Sequence, residues 1–274
     1  MSEELETHDR PVSPVGRVSH SFLRRRWPEF LVEFVLIIVG ILVALYIDGW
    51  MQDRQDRKSE KAYLELLRED LALIEGELRS YVDFEATNVE TGSVVYAMLD
   101  VDNPSAEYAQ IQLMLATLSA RKTLQITSAT YTDLQSTGNL QLIRNQDLRQ
   151  GIVRFFVRAE RTELVIEKNN SAFIDDLYDG FLFEMGITSV SLAPHDPVLS
   201  AANQYFAEAM GSDFDLPRDD ALLRPASATS WGDIRRQVIF RTRVAAIGVT
   251  AGRQAIEMTQ ELRAEIEAEL QNPI

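Results

Sequence analysis

The sequence predicts an all-α protein: one N-terminal transmembrane helix continuing into a helical stalk and a helical-bundle ectodomain. Three observations carry that prediction. Phe30 to Ile47 is an apolar run broken only by Glu33. Leu64, Leu67, Leu71, Ile74, Leu78 and Tyr81 alternate at spacings of three and four, the seam of a heptad repeat. Alternating strand patterns are almost absent, Thr188 to Leu192 being the only candidate.

The apolar run sets the organisation of the chain. At about 1.5 Å of rise per residue it spans ~27 Å, close to the hydrocarbon thickness of a bilayer. Trp27 and Trp50 stand at its two ends as interface anchors, ~35 Å apart along the helix. No small-x-small cleavage site follows, because Tyr46 to Trp50 is bulky, so the run reads as an uncleaved signal anchor. Arg24, Arg25 and Arg26 abut the run and place the N-terminus in the cytoplasm. Arg54, Arg57, Lys58 and Lys61 lie on the far side and bring the count of positive charge close to a tie. The absence of cysteine fits an oxidising compartment such as the periplasm beyond a bacterial inner membrane. The expected organisation is a cytoplasmic segment (1–26), the anchor (27–50), a juxtamembrane stalk helix (51–100) and an all-helical soluble domain (101–274).

Within the anchor, Glu33, Gly40 and Ala44 share one helical face. A carboxylate at the centre of a membrane helix costs about 2.5–3.5 kcal/mol. Glu33 sits about one turn inside the boundary, where it reaches the interface. Gly40-x-x-x-Ala44 is a small-x-x-x-small pair, which lets two helix backbones approach closely. The stripe reads either as a helix-packing face with Glu33 as its polar contact, or as a snorkelling glutamate beside incidental small residues. A proton path through Glu33 lacks a second relay group.

Met51 to Ser59 is charged and holds no breaker, so the helix continues out of the bilayer. Leu66 and Leu73 widen its stripe beyond a two-stranded seam, toward packing in a bundle. Asp100 to Pro104 breaks the chain, and a short helix follows over about 105–118. A third helix reads Ala129 to Thr137 and stops at Gly138, the residue best able to turn left-handed. Asn145 caps the next helix, with Asp147 favourable in its first turn. That helix runs to about Glu184, burying Ile152, Phe155, Phe156, Ala159, Ile166, Phe173, Ile174, Leu177 and Phe181. Asp196-Pro197 opens another helix, to about Met210, and Gly211 to Thr229 reads as a loop. Ser230-x-x-Asp233 resembles a capping box opening the last helix, Trp231 to about Leu270. Gly248-x-x-x-Gly252 marks close helix packing there, since its nine-residue apolar patch is too short to span a bilayer.

Charge and chemistry narrow the function classes. The chain of 274 residues carries a net charge of −15. After the anchor, 35 acidic residues face 22 basic ones, a net of −13, which argues against a nucleic-acid partner. His8, His20 and His195 are the only histidines and no cysteine exists, so zinc and thiolate sites of the usual kinds are out. Asp213-Phe214-Asp215-Leu216-Pro217 starts like a calcium loop but has proline at its fifth position. Ser119-Ala120-Arg121-Lys122 matches S-x-x-K without the companion motifs. No catalytic residue, metal or cofactor is assigned.

Glu33, Gly40-Ile41-Leu42-Val43-Ala44-Leu45, Ile47 and Trp50 follow the pattern G-E-x-x-L-V-x-x-G-I-L-I-A-L-x-I-x-x-W-N, and in this the chain resembles a family of uncharacterised bacterial single-pass membrane proteins common in Bacteroidetes. Thr130-Tyr131-Thr132-Asp133-Leu134-Gln135-Ser136-Thr137-Gly138-Asn139-Leu140, then Leu142-Ile143, Asn145 and Leu148-Arg149, looks like its T-Y-x-E-L-x-S-S-G-N-L-x-L-I-x-N-x-x-L-R. The ending Glu261-Leu262-Arg263-Ala264-Glu265-Ile266-Glu267 is family-like too. The resemblance implies a membrane protein of similar layout.

Read physically, Tyr131 to Arg149 is a helix, a glycine turn and a second capped helix. One reading is a corner packed in the core, with Tyr131 and Leu134 buried and Asn139 bonding the turn backbone. The other makes Tyr131, Asp133, Ser136, Gly138 and Asn139 a recognition surface. The expected function is association without catalysis: the protein partners the lipid bilayer and either itself or a larger inner-membrane complex. The alternative is an envelope sensor whose ectodomain binds a small solute and signals through a partner.

Overall fold

The computed structural model describes residues 21–100, 104–185, 187, 201, 204–205, 208–209 and 228–271, with the side chains of 21–29, 105–106 and 228–230 excluded. Every regular element among them is helical. The chain divides into two compact units, residues 1–57 and 58–274. Helix α1 (Ser21–Leu99) contributes to both.

In the first unit α1 presents its apolar side chains outward all round. Phe30 to Ile47 are exposed at every position, Leu36 at 65% and even Ile38 at 40%. A helix so apolar on every side has no polar face to give to water, and it is long enough to cross a membrane.

In the second unit the seam of α1 turns inward. Leu64, Leu67, Leu71, Ile74, Leu78 and Tyr81 are at most 3% exposed. The same alternation of three and four continues through Glu85, Asn88, Gly92, Val95 and Leu99, all buried. Leu66 and Leu73 do not widen the buried stripe: they are 50% and 72% exposed. Each lies one position before a seam residue, Leu67 or Ile74, about 100° around the helix.

Helix α1 ends at Leu99, just before the expected break, and a 3-10 turn (Pro104–Glu107) leads into α2 (Tyr108–Leu118). Residues 120–128 belong to no helix, and their burial alternates as in an extended chain, with Leu124, Ile126 and Ser128 buried and Thr123, Gln125 and Thr127 exposed. Ser128 then caps α3 (Ala129–Ser136), its side chain accepting from the Tyr131 amide at 2.9 Å. Gly138 has φ 75°, the left-handed value expected of it, and a 3-10 turn (Asn139–Leu142) follows. Asn145 caps α4 (Gln146–Asn169), accepting from the amides of Asp147 and Leu148 at 3.1 and 3.2 Å.

The helix expected to run on to Glu184 changes period. Asn170–Asp179 is a π-helix, and only Gly180–Glu184 returns to α as α5. Wider turns favour a four-residue spacing, and the buried residues are Asn170, Ile174, Tyr178 and Leu182. Of the expected face, Ile174 is buried, but Phe173 and Leu177 are 37% and 43% exposed and Phe181 is partly buried. An α-helical period carried past Asn169 selects a face one residue too early.

The last helix, α6 (Ala228–Gln271), starts ahead of the expected capping box. Ser230 lies inside its first turn, and the Asp233 carboxylate pairs with Arg236 instead. The expected loop therefore stops short of Ala228; its remainder, Thr188 to Leu192, His195, Asp196-Pro197 and the Asp213–Pro217 stretch lie outside the described residues, and of the helix expected from Asp196-Pro197 to about Met210 residues 201, 204–205 and 208–209 are described and are helical. Contacts step in opposite senses along α1 and α6: Leu99 with Arg235, Gly92 with Thr242, Tyr81 with Gly248, and Glu75 with Gln260. The two helices run antiparallel. Gly248 and Gly252 make the approach possible, since a Cβ on them would sit 2.7 Å from Tyr81 Oη and 2.6 Å from Val82 Cγ2.

Two apolar cores result. One gathers α1 up to Tyr81 with Leu124, Ile126, Leu134, α4 and the end of α6. The other gathers Val95 and Leu99 with α2, Tyr178, Leu182 and the start of α6. Between them along α1 lie the polar seam positions Glu85 and Asn88, facing the fully buried Arg241.

Candidate functional site

The membrane stripe of the first unit is fully open. Glu33, Gly40 and Ala44 are exposed, and a Cβ on Gly40 would meet nothing within 4 Å. Trp50 is 55% exposed, and the Arg54 guanidinium lies over its ring at 5.7 Å from the centroid. That cation–π contact is worth about 0.5–1 kcal/mol at an exposed site, and it holds a positive charge beside the tryptophan. Trp27 falls within α1, its side chain outside the described residues.

In the second unit the motif from Tyr131 to Asn139 is tied down by α1. Tyr63 Oη donates to Asp133 Oδ2 at 2.8 Å and accepts from Asn139 Nδ2 at 3.0 Å. Asn139 therefore bonds a side chain of α1, not the turn backbone. The Tyr131 ring stacks on Phe156, centroids 4.0 Å apart at 14°. It is half-buried, not fully enclosed, and burial raises its phenol pKa ahead of the nearby Glu160 charge. Ser136 Oγ donates to the Asp133 carbonyl at 3.2 Å, within its own helix. Leu134 is wholly buried, and Gly138 supplies the turn.

Sequence reasoning missed the three α1 residues that organise this corner. Asp70 accepts from Ser128 Oγ at 2.6 Å and from the Thr130 amide at 3.2 Å. Glu60 accepts from the Arg144 amide at 2.7 Å. With Tyr63 they fall at intervals of three and seven, one side of a helix. Asn145 Nδ2 adds a bond to Glu269 of α6 at 2.6 Å. The corner's polar groups are thus engaged with one another, which orders a junction and leaves Asp133 as its exposed rim.

A second polar centre joins the two cores. Arg241 donates to Glu85 Oε2 at 3.2 Å and to the carbonyls of Leu118 and Ala120 at 2.8 and 3.1 Å. The Leu118 carbonyl is the last of α2, where a helix end leaves acceptors unsatisfied and welcomes a cation, and Ala120 lies two residues beyond it. Arg235 does the same for α1, donating to Leu99 O at 2.9 Å beside Asp100. On the π-helix, Asp179 is half-buried, and desolvation first, then the Asp175 charge, raises its pKa. Among the described residues no group of three His, Asp or Glu side chains is placed to hold a metal ion. Set against protein-family models, curated proteins and solved structures, the chain matches none of them.

Proposed function

We propose that this is a non-enzymatic, membrane-anchored interaction protein that acts as a homo-oligomer or as an accessory subunit of a larger inner-membrane complex. The observation that carries the reading is the outward-facing apolar surface of α1 from Phe30 to Ile47, with Gly40 open to close approach. Lipid satisfies most of that surface, and a partner helix satisfies the Glu33, Gly40 and Ala44 stripe better than lipid does. Arg24 to Arg26 and the absence of cysteine support a cytoplasmic N-terminus and a periplasmic helical bundle. The likeness to the bacterial single-pass family supports the same layout and is itself part of the proposal. The sensor reading draws no support from the corner at Tyr131 and Asn139, whose side chains are occupied by Phe156 and Tyr63.

The test is purification from native membranes in mild detergent with mass spectrometry of everything that co-elutes. A stoichiometric foreign complex identifies an accessory subunit, and a defined self-assembly identifies a homo-oligomer. Elution as a lone monomer removes the reading. Replacing Gly40 and Ala44 together with leucine should weaken assembly by about 1 kcal/mol or more, seen as a smaller particle mass.

A further inference from the structure

We infer that the extended segment after α2 is a docking edge for a strand of a partner protein, one that carries a basic side chain flanked by apolar residues. This deepens the association reading by giving the second unit its own partner site. Among the described residues only one edge of the segment is used. The Ala120 and Lys122 carbonyls accept from Arg241 and Asn170, and the Ile126 amide donates to the Glu163 carboxylate. All three are even-numbered positions. In an extended chain the backbone groups of alternate residues point to opposite edges. The odd positions Thr123, Gln125 and Thr127 make no backbone hydrogen bond to any described residue.

The same three residues line a groove of about 430 Å³ on one side, and Leu73, Ile74 and Glu77 of α1 line it on the other. Ser128 bonds Asp70 while Lys122 reaches Ser80, so segment and helix flank the groove in opposite directions. Each groove property matches one property of the occupant. Amides and carbonyls in a row that no described residue engages call for an extended backbone, which adds as a further strand. Leu73, 72% exposed, calls for an apolar side chain. Glu77 is exposed and has no ion pair among the described residues, so it calls for lysine or arginine.

The experiment uses the full chain in mild detergent and a blocked, dye-labelled peptide alternating valine with threonine around one central lysine. Binding is read by fluorescence anisotropy. Two otherwise identical peptides are N-methylated on alternate amides, one on each register. Strand addition predicts that one register loses affinity about tenfold or more while the other binds as before. Gln125→Pro, which removes an edge donor the fold leaves unused, and Glu77→Lys should each weaken the unmethylated peptide. Equal binding of both methylated peptides overturns the proposal, since the charge of this acidic protein would then be the whole attraction. No binding up to millimolar peptide overturns it as well, and if a partner still co-elutes from native membranes the association reading survives that failure.

Discussion

Arg241 is the residue on which most of the second unit converges. Its guanidinium is fully buried, meets a carboxylate that is itself 2% exposed, and closes the last carbonyl of α2 together with that of Ala120. Removing one partner of such a pair strands the other charge in low dielectric, a loss of about 3–5 kcal/mol. Either replacement breaks the pair, but Arg241→Met also leaves the Leu118 and Ala120 carbonyls without a donor, so it should lower the urea midpoint more than Glu85→Gln, which keeps both carbonyl bonds. Equal effects of the two would assign the stability to the ion pair alone. Two carboxylates set the response to acid. Glu75 accepts from Gln260 at 2.7 Å and Arg79 at 2.6 Å, and these bonds, the Gln260 one first, hold its pKa below the ordinary 4.5. Its contribution is complete above that value and is lost as pH falls through the lower folded pKa. Asp179 has the opposite sign: its folded pKa lies above 3.8, so ionisation on raising the pH through that folded value removes stability. Asp179→Asn should raise the melting temperature at neutral pH, and Glu75→Gln should flatten the acid limb of a melting-temperature profile. The pair at Glu85 and Arg241 had a readable signal. Glu85 and Asn88 extend the heptad seam as polar residues where apolar ones are the rule, and such positions announce a buried partner. Tyr63 and Asp70 gave none, because a polar residue beside a seam is ordinary until a distant loop is known to cross it.

At the scale of elements, local chemistry was legible wherever one residue decides the backbone. Asn145 as cap, Gly138 as left-handed turn and Ala129 as a helix start all act within a few residues of themselves. The period change at Asn170 was not legible, because neither propensity nor pattern in Asn170–Asp179 distinguishes a π-helix from an α-helix. Tertiary contacts fix it: Asn170 donates to Lys122 O at 3.2 Å and Tyr178 to Leu115 O at 3.0 Å, eight residues apart on one face. Tyr178→Phe should cost about 1–3 kcal/mol by leaving the buried Leu115 carbonyl without that donor. The antiparallel pair of α1 and α6 makes a sharper demand. Gly252→Ala places a methyl carbon 2.6 Å from Val82 Cγ2, a contact that requires the helices to separate. It should destabilise by about 1–3 kcal/mol in a denaturant titration, whereas Gly76→Ala, with nothing within 4 Å, should leave the midpoint unchanged or raise it. If both glycines respond alike, helix propensity and not close packing governs the pair.

Across the whole molecule, one composition serves two environments. Phe30 to Ile47 of the first unit face outward, whereas the seam of α1 in the second unit, Leu64 to Leu99, faces inward. That division makes the placement of the chain testable without altering its packing. Because cysteine is absent, a single introduced thiol is the only reactive one in the protein. Ser13→Cys reports the N-terminal segment, and Glu65→Cys reports an exposed site of the second unit. The proposed orientation puts Glu65 outside the inner membrane and residue 13 inside. A membrane-impermeant maleimide added to cells with a permeabilised outer membrane should then modify the Glu65→Cys protein at once and the Ser13→Cys protein only after lysis. The reverse pattern would place the acidic helical unit in the cytoplasm. In that case Arg54, Arg57, Lys58 and Lys61, not the triplet at Arg24, would be the positive charge that fixed its insertion, and any partner strand for the Gln125 edge would have to be a cytoplasmic one.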